Sequence, residues 1–142
     1  MKKMIQMRLP APPQPSSALG RPLDPRYPSN LIAVFGSGAV VLLFLGYNLL
    51  ADEPLPTSPI SAGFTVFLAW AIGRELDPDH DLSAFVGAGL ALIGVLFFET
   101  PSLLIFFWLL LVLRIVNRTV GLPARPLDTL AVLGLGAWLT WQ

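Results

Sequence analysis

The chain has no cysteine, one histidine and little charge. Without cysteine it has no disulfides, zinc–thiolate sites, iron–sulfur clusters or cysteine nucleophiles. Charged residues make up 13% of its 142 residues, about half the ~25% of an ordinary soluble domain. Nine Lys and Arg balance nine Asp and Glu, so no positive excess awaits a nucleic acid. Walker A, G-x-S-x-G and paired-histidine motifs are absent, and a lone His80 supports no Ser–His–Asp arrangement. What remains is apolar: 54% hydrophobic residues and a mean hydropathy of +0.68.

Five apolar stretches follow a polar head: Leu31 to Leu50, Ile60 to Ile72 (extensible to Leu76), Leu82 to Phe98, Ser102 to Leu113 and Leu127 to Gln142. A membrane span needs ~20 residues; the first stretch meets that alone, and the others need their polar ends. Leu103 to Leu113 is apolar all round, unlike a helix with one face in water. The expected fold is all-α and integral to a membrane, with about five transmembrane helices.

Charge sets the threading. If every stretch crosses and the head lies inside, Lys2, Lys3, Arg8, Arg21, Arg26, Arg74, Arg114, Arg118 and Arg125 are all inside. The outer turns hold Asp52, Glu53 and Glu99. This is the positive-inside pattern, and it predicts N-in, C-out. A bacterial inner membrane is the expected location. Asn117-Arg118-Thr119 matches a glycosylation sequon but falls on the inner side.

Residues 1–30 carry seven of the fourteen prolines and read as an extended, mobile cytoplasmic tail. No apolar run precedes Pro10, so they are not a signal peptide. Residues 31–142 form the transmembrane helical domain.

Three elements repeat with a period of about 52 residues: Gly20 to Pro25 (GRPLDP), Gly73 to Pro78 (GRELDP) and Ala124 to Thr129 (ARPLDT). Each precedes a G-x-G inside a span: Gly36-Ser37-Gly38, Gly87-Ala88-Gly89 and Gly134-Leu135-Gly136. An acidic–Pro turn and a Trp in the returning span (Trp70, Trp108) complete the unit. The reading is tandem helical hairpins of one orientation, with units at about 21–73, 74–124 and an incomplete 125–142. The unpaired fifth span predicts a partner for it, or a longer chain of which this is a piece.

Small residues four apart, as at Ala33 and Ser37, Ala84 and Ala88, or Gly87 and Ala91, are the usual contact faces in lipid. They predict the odd-numbered spans at the centre and the bulky fourth span on the rim. They also offer faces for a second copy or another membrane protein, besides the bilayer. No nucleic acid partner is expected.

The densest polar cluster is Arg74, Glu75, Asp77, Asp79, His80 and Asp81. Leu82 and Ala88 stand where an EF-hand needs Gly and Glu, so that loop is rejected. Asp77, Asp79 and Asp81 with His80 remain candidate ligands for a Mg²⁺ or Ca²⁺ ion. The plainer reading is a solvated turn with Asp79 or Asp81 capping the third span. Arg74, Arg114, Arg118 and Arg125 are candidates for an anion or lipid headgroup, Arg114 and Arg118 sharing a helix face. Arg21–Asp24, Arg74–Asp77 and Arg125–Asp128 suggest an inner polar ring. No Asp or Glu lies mid-span, which argues against a proton-driven pump. The functional expectation is a non-enzymatic multi-pass membrane protein: a small subunit, a scaffold or part of a carrier. The alternative is a metal-dependent enzyme acting at the cytoplasmic face on a lipid or polyprenyl phosphate.

Overall fold

The computed structural model describes residues 17–20, 23–100, 102–118 and 123–141. Among them the chain is all-α, without a strand: α1 (Pro28–Leu50), α2 (Pro59–Leu76), α3 (Asp81–Phe97), α4 (Leu103–Asn117) and α5 (Pro126–Trp141). Lys2, Lys3, Arg8, Arg21 and most of the Pro-rich segment lie outside the described residues.

Proline marks the starts. Pro28, Pro59 and Pro126 open α1, α2 and α5, where the missing N–H costs nothing and φ is already helical. Ser58 caps α2 by accepting from the Ser61 N–H. Asp77-Pro78 ends it, because a residue before proline is pushed out of the helical region. The cap of α3 is His80 rather than Asp79 or Asp81; Asp81 instead lies in the first turn, beside the positive helix end. In α5, Asp128 reaches back to the Arg125 N–H at 3.1 Å, half of a capping box. α1 is 23 residues long and, by length and composition, apolar enough to cross a membrane.

The hairpins are antiparallel. The starts of α1, α3 and α5 meet the ends of α2 and α4: Gly73 lies against Ala84, and Arg114 reaches Glu75. The described arginines therefore collect at one end, which we call the basic end. At the other end, Asp52, Glu53 and Glu99 sit on the turns. There Thr57 Oγ1 donates to the Phe98 carbonyl at 2.9 Å, and Asn48 Oδ1 accepts from the Leu55 N–H.

The arrangement corrects the expected centre. α2, not the odd-numbered helices, is the hub, with α1, α3 and α4 all packed on it; α5 packs on α4. The small faces of α1 and α3 do pack, but toward α2: Ala33 and Ala84 are buried in one cluster with Leu68, Trp70 and Ala71. α2 is suited to this because Ala62, Gly63, Ala71 and Gly73 give it small residues for both neighbours. A Cβ on Gly63 would stand 2.9 Å from the Ser37 carbonyl oxygen, and one on Gly73 2.7 Å from Ala84 Cα. α4 is not a free rim, since its Leu110 and Leu111 are buried.

The G-x-G motifs are used unevenly. A Cβ at Gly36, Gly38, Gly89 or Gly134 would meet nothing within 4 Å. Gly136 is different: Trp108 donates its indole N–H to the Val132 carbonyl at 2.9 Å, and a Cβ on Gly136 would fall 2.9 Å from that nitrogen. The missing side chain one turn on is what lets the indole reach the carbonyl.

Large apolar side chains lie on the outside of the helices as well as in the core. On α3, Ala84 and Val95 are buried while Val86 (56% exposed), Leu90 (66%), Ile93 (56%) and Phe97 (71%) face out. Phe35, Leu42, Leu43 and Leu49 do the same on α1.

These contacts set an expected contrast in stability. Gly73→Ala should destabilise the fold by about 1–3 kcal/mol, because the new methyl meets backbone. Gly36→Ala should be neutral or stabilising by up to ~1 kcal/mol, from helix propensity alone. Thermal unfolding followed by circular dichroism checks both; equal losses would contradict the α2-centred packing.

Candidate functional site at the basic end

A cavity of about 670 Å³ lies between α2 and α4, closed at one end by the segment Leu23–Tyr27 and the start of α1. Its long wall is apolar, with Phe64, Phe67, Leu104 and Phe107 among its residues. Its charged lining is confined to the basic end, where Asp24, Arg74, Glu75 and Arg114 stand with Asn30.

Glu75 organises that end. The last turn of α2 carries it inward, to 2% exposure. A buried carboxylate is costly unless paired and hydrogen-bonded. Arg114, from the last turn of α4, supplies its Nε–H to Glu75 Oε1 at 3.0 Å and is itself only 16% exposed along its side chain. One Nη1–H of Arg114 goes on to the Leu19 carbonyl at 2.7 Å. Asn117, one turn later, donates to the Glu75 carbonyl at 2.7 Å, satisfying an acceptor that the helix end leaves open. Two helix ends and the entering chain are thus tied at one point.

Arg74 points to the other neighbour. Its guanidinium donates to Asn30 Oδ1 and lies over the Trp70 ring, 5.1 Å from the centroid, within cation–π range. Asn30 in turn donates to the Asp24 carbonyl at 2.8 Å. Trp70 is 2% exposed, and its indole N–H has no acceptor among the described residues.

The three R-x-L-D elements do three jobs. Asp24 accepts from the Arg26 N–H in a local turn. Asp77 pairs with His80. Asp128 binds the Arg125 N–H and also the entering chain, accepting from Ser17 Oγ at 2.8 Å and the Ala18 N–H at 3.1 Å. Residues 17–19, expected within a mobile tail, are here strapped across the starts and ends of α5 and α4. Arg21 lies outside the described residues, so the first Arg–Asp pair of the expected ring does too.

Of the four candidate anion-binding arginines, Arg74 and Arg114 line the cavity. Arg118 and Arg125 are exposed and do not; Arg118 ends α4 in a left-handed conformation, φ 51°. Of the candidate metal ligands, Asp77 Oδ1 and His80 Nδ1 come together at 3.0 Å, while Asp79 and Asp81 are exposed beside them. Among the described residues, no group of three or more His, Asp and Glu is placed to hold a metal ion.

Sequence reasoning named Glu75 within the polar cluster but not as a site residue. The signal was its departure from the repeat: Glu75 stands where the other two elements have Pro22 and Pro126. Asn30 and Trp70 carried no comparable signal. No protein-family model, curated protein or solved structure matches the chain.

The Asp77–His80 pair has a defined pH window. Its hydrogen bond raises the His80 pKa above 6.5 and lowers the Asp77 pKa below 3.8. The raised His80 stabilises fully below its unfolded value and loses that as pH rises through the folded one. The lowered Asp77 stabilises above its unfolded value and loses that as pH falls through the folded one. The pair is therefore intact between the two folded values. His80 is the only histidine, so its imidazole resonance is unambiguous. Asp77→Asn should move its NMR titration midpoint down toward 6.5, and Asp79→Asn should move it less.

The buried pair gives a second expected outcome. Arg114→Met should cost about 3 kcal/mol in denaturant unfolding, since it removes a cation bonded to a buried carboxylate. Restoring the balance with Glu75→Leu in the same chain should recover part of that loss; a purely additive double variant would contradict the pairing.

Proposed function

We propose that the chain is a small, non-enzymatic, multi-pass membrane protein that crosses the bilayer about five times, with its basic end in the cytoplasm. It acts as a subunit, scaffold or carrier component through the faces and groove it presents within the membrane. One observation carries the reading: large apolar side chains cover the outside of the helices. In water, bulky apolar side chains gather in the core and the surface carries charge. Here Phe35, Leu42, Leu43 and Leu49 on α1 and Leu90, Ile93 and Phe97 on α3 all face out. So large an apolar exterior supports hydrocarbon surroundings, where helices associate through small residues and backbone approach.

Charge supports the orientation. With the spans alternating, one side holds all nine basic and six acidic residues, and the other holds three acidic residues alone. Moving that basic set across a bilayer would be opposed by the bias that orients membrane helices. α2 to α5 are 15 to 18 residues long, about 23–27 Å of helix, which suits a thin bilayer or flanking residues that extend to the headgroups. Arg74 and Arg114, in the last turns of α2 and α4, are long enough to do so. The non-enzymatic part of the reading rests on how the polar groups are spent. Glu75, Asn117 and Asp128 are bonded to parts of the same chain, which ties segments together.

Cysteine labelling tests the threading without background, because the chain has no cysteine. Asp79→Cys should react with a membrane-impermeant maleimide only after the cells are opened. Glu53→Cys should react in intact spheroplasts. Labelling of both from outside would overturn the topology.

A further inference from the structure

We propose that the groove between α2 and α4 binds one phosphate-headed lipid from the surrounding bilayer, hydrocarbon along the apolar wall and phosphate at Arg114. This rests on the membrane reading above and names the ligand class of the same site.

The shape argues for a chain-like occupant. The lining runs from Phe64 to Arg74 on α2 and from Leu103 to Arg114 on α4. At 1.5 Å per residue each is a strip of about 15 Å, half the thickness of a hydrocarbon core. Between its ends the strip presents only apolar side chains, Phe67, Leu68 and Phe107 among them. A compact polar solute would leave these unused. A lipid chain lying along α2 would cover them, with its head at the basic end, the depth a headgroup already occupies.

The head is specified by a surplus of donors. A guanidinium has five N–H groups. Arg114 spends one on Glu75 and one on the Leu19 carbonyl. The other three have no acceptor among the described residues, on a side chain only 16% exposed. Glu75 holds one edge of the guanidinium, which fixes the plane and leaves the remaining edge for a partner. A phosphate diester offers acceptors and needs no donor in return, and arginine matches its geometry with paired hydrogen bonds. The Arg74 guanidinium adds a second positive charge at the same end, held in place over Trp70. The acidic groups there are held by bonds within the chain: Glu75 accepts from Arg114, and Asp24 from the Arg26 N–H.

The experiment is native mass spectrometry of the full chain released from nanodiscs containing equal dioleoylphosphatidylglycerol and dioleoylglycerol, which share chains and differ in the phosphate. Expected is one retained phosphatidylglycerol and little diacylglycerol. Arg114→Lys keeps the charge beside Glu75 but removes the guanidinium fork; it should lower retention about tenfold. Leu104→Trp plugs the apolar wall without touching the head, and should lower it as well. Val116→Trp, on the exposed side of α4 away from the groove, should change nothing. Inorganic phosphate in excess should not displace the lipid, since it lacks the chain. Equal retention of the two lipids, or retention unaltered by Leu104→Trp, overturns the site while leaving the membrane reading intact. A wild-type chain that does not co-float with liposomes of either lipid mixture overturns both.

Discussion

Glu75 and Arg114 form the contact on which the arrangement of the basic end depends. They come from the last turns of α2 and α4, 39 positions apart, and meet at 3.0 Å with the carboxylate almost wholly buried. Taking both charges out of water is expensive, and their attraction offsets the cost only when the geometry is good and further bonds are made. Those bonds are present: Arg114 continues to the Leu19 carbonyl, and Asn117 reaches the Glu75 carbonyl. A slide of α4 along α2 by one residue would break all of them together. The pair therefore sets the register of α4 on α2 and anchors the entering chain, which Asp128 then fastens to α5.

Elsewhere register comes from size rather than charge. α2 has small residues on two sides, so α1 and α3 approach it to backbone contact at Gly63 and Gly73. α4 has none between Leu103 and Leu113. It meets α2 through bulky side chains, with Leu110 in the cluster of Leu68, Trp70 and Ala71 and Leu103 and Phe106 packed against it. The cavity of about 670 Å³ lies between these two helices. A smaller gap, about 200 Å³, lies between α1 and α3 over α2, with Trp70 and Phe85 among its walls.

Much of the fold was legible in the chain, because its determinants are local. Apolar runs bounded by Pro28, Pro59, Asp77-Pro78 and Pro126 gave the five helices to within a few residues. The separation of Arg from the Asp52, Glu53 and Glu99 turns gave their alternation. The candidate site was half legible. Arg74 and Arg114 could be named as basic residues at helix ends, but Arg118 and Arg125 satisfied the same criterion and do not line the groove. The repeated R-x-L-D looked like one device and is three: a turn, a link to His80, and a cap that also binds the entering chain. A motif records residue types and spacing, and the partner of each carboxylate is decided by what the chain brings beside it.

What the sequence alone determined, then, is where helices start and stop and which end of each is basic. Those follow from proline stereochemistry, hydrogen-bond capping and the clustering of charge over a few neighbouring residues. Only the tertiary structure decided that α2 is the hub, that α1 and α3 meet it rather than each other, and that Glu75 faces Arg114. Small-residue faces occur on α1, α2 and α3 alike, and composition does not say which two will meet. The choice is made by close approach of surfaces far apart in the chain: a missing Cβ at Gly73 opposite Ala84, and a buried carboxylate at Glu75 met by the Arg114 guanidinium.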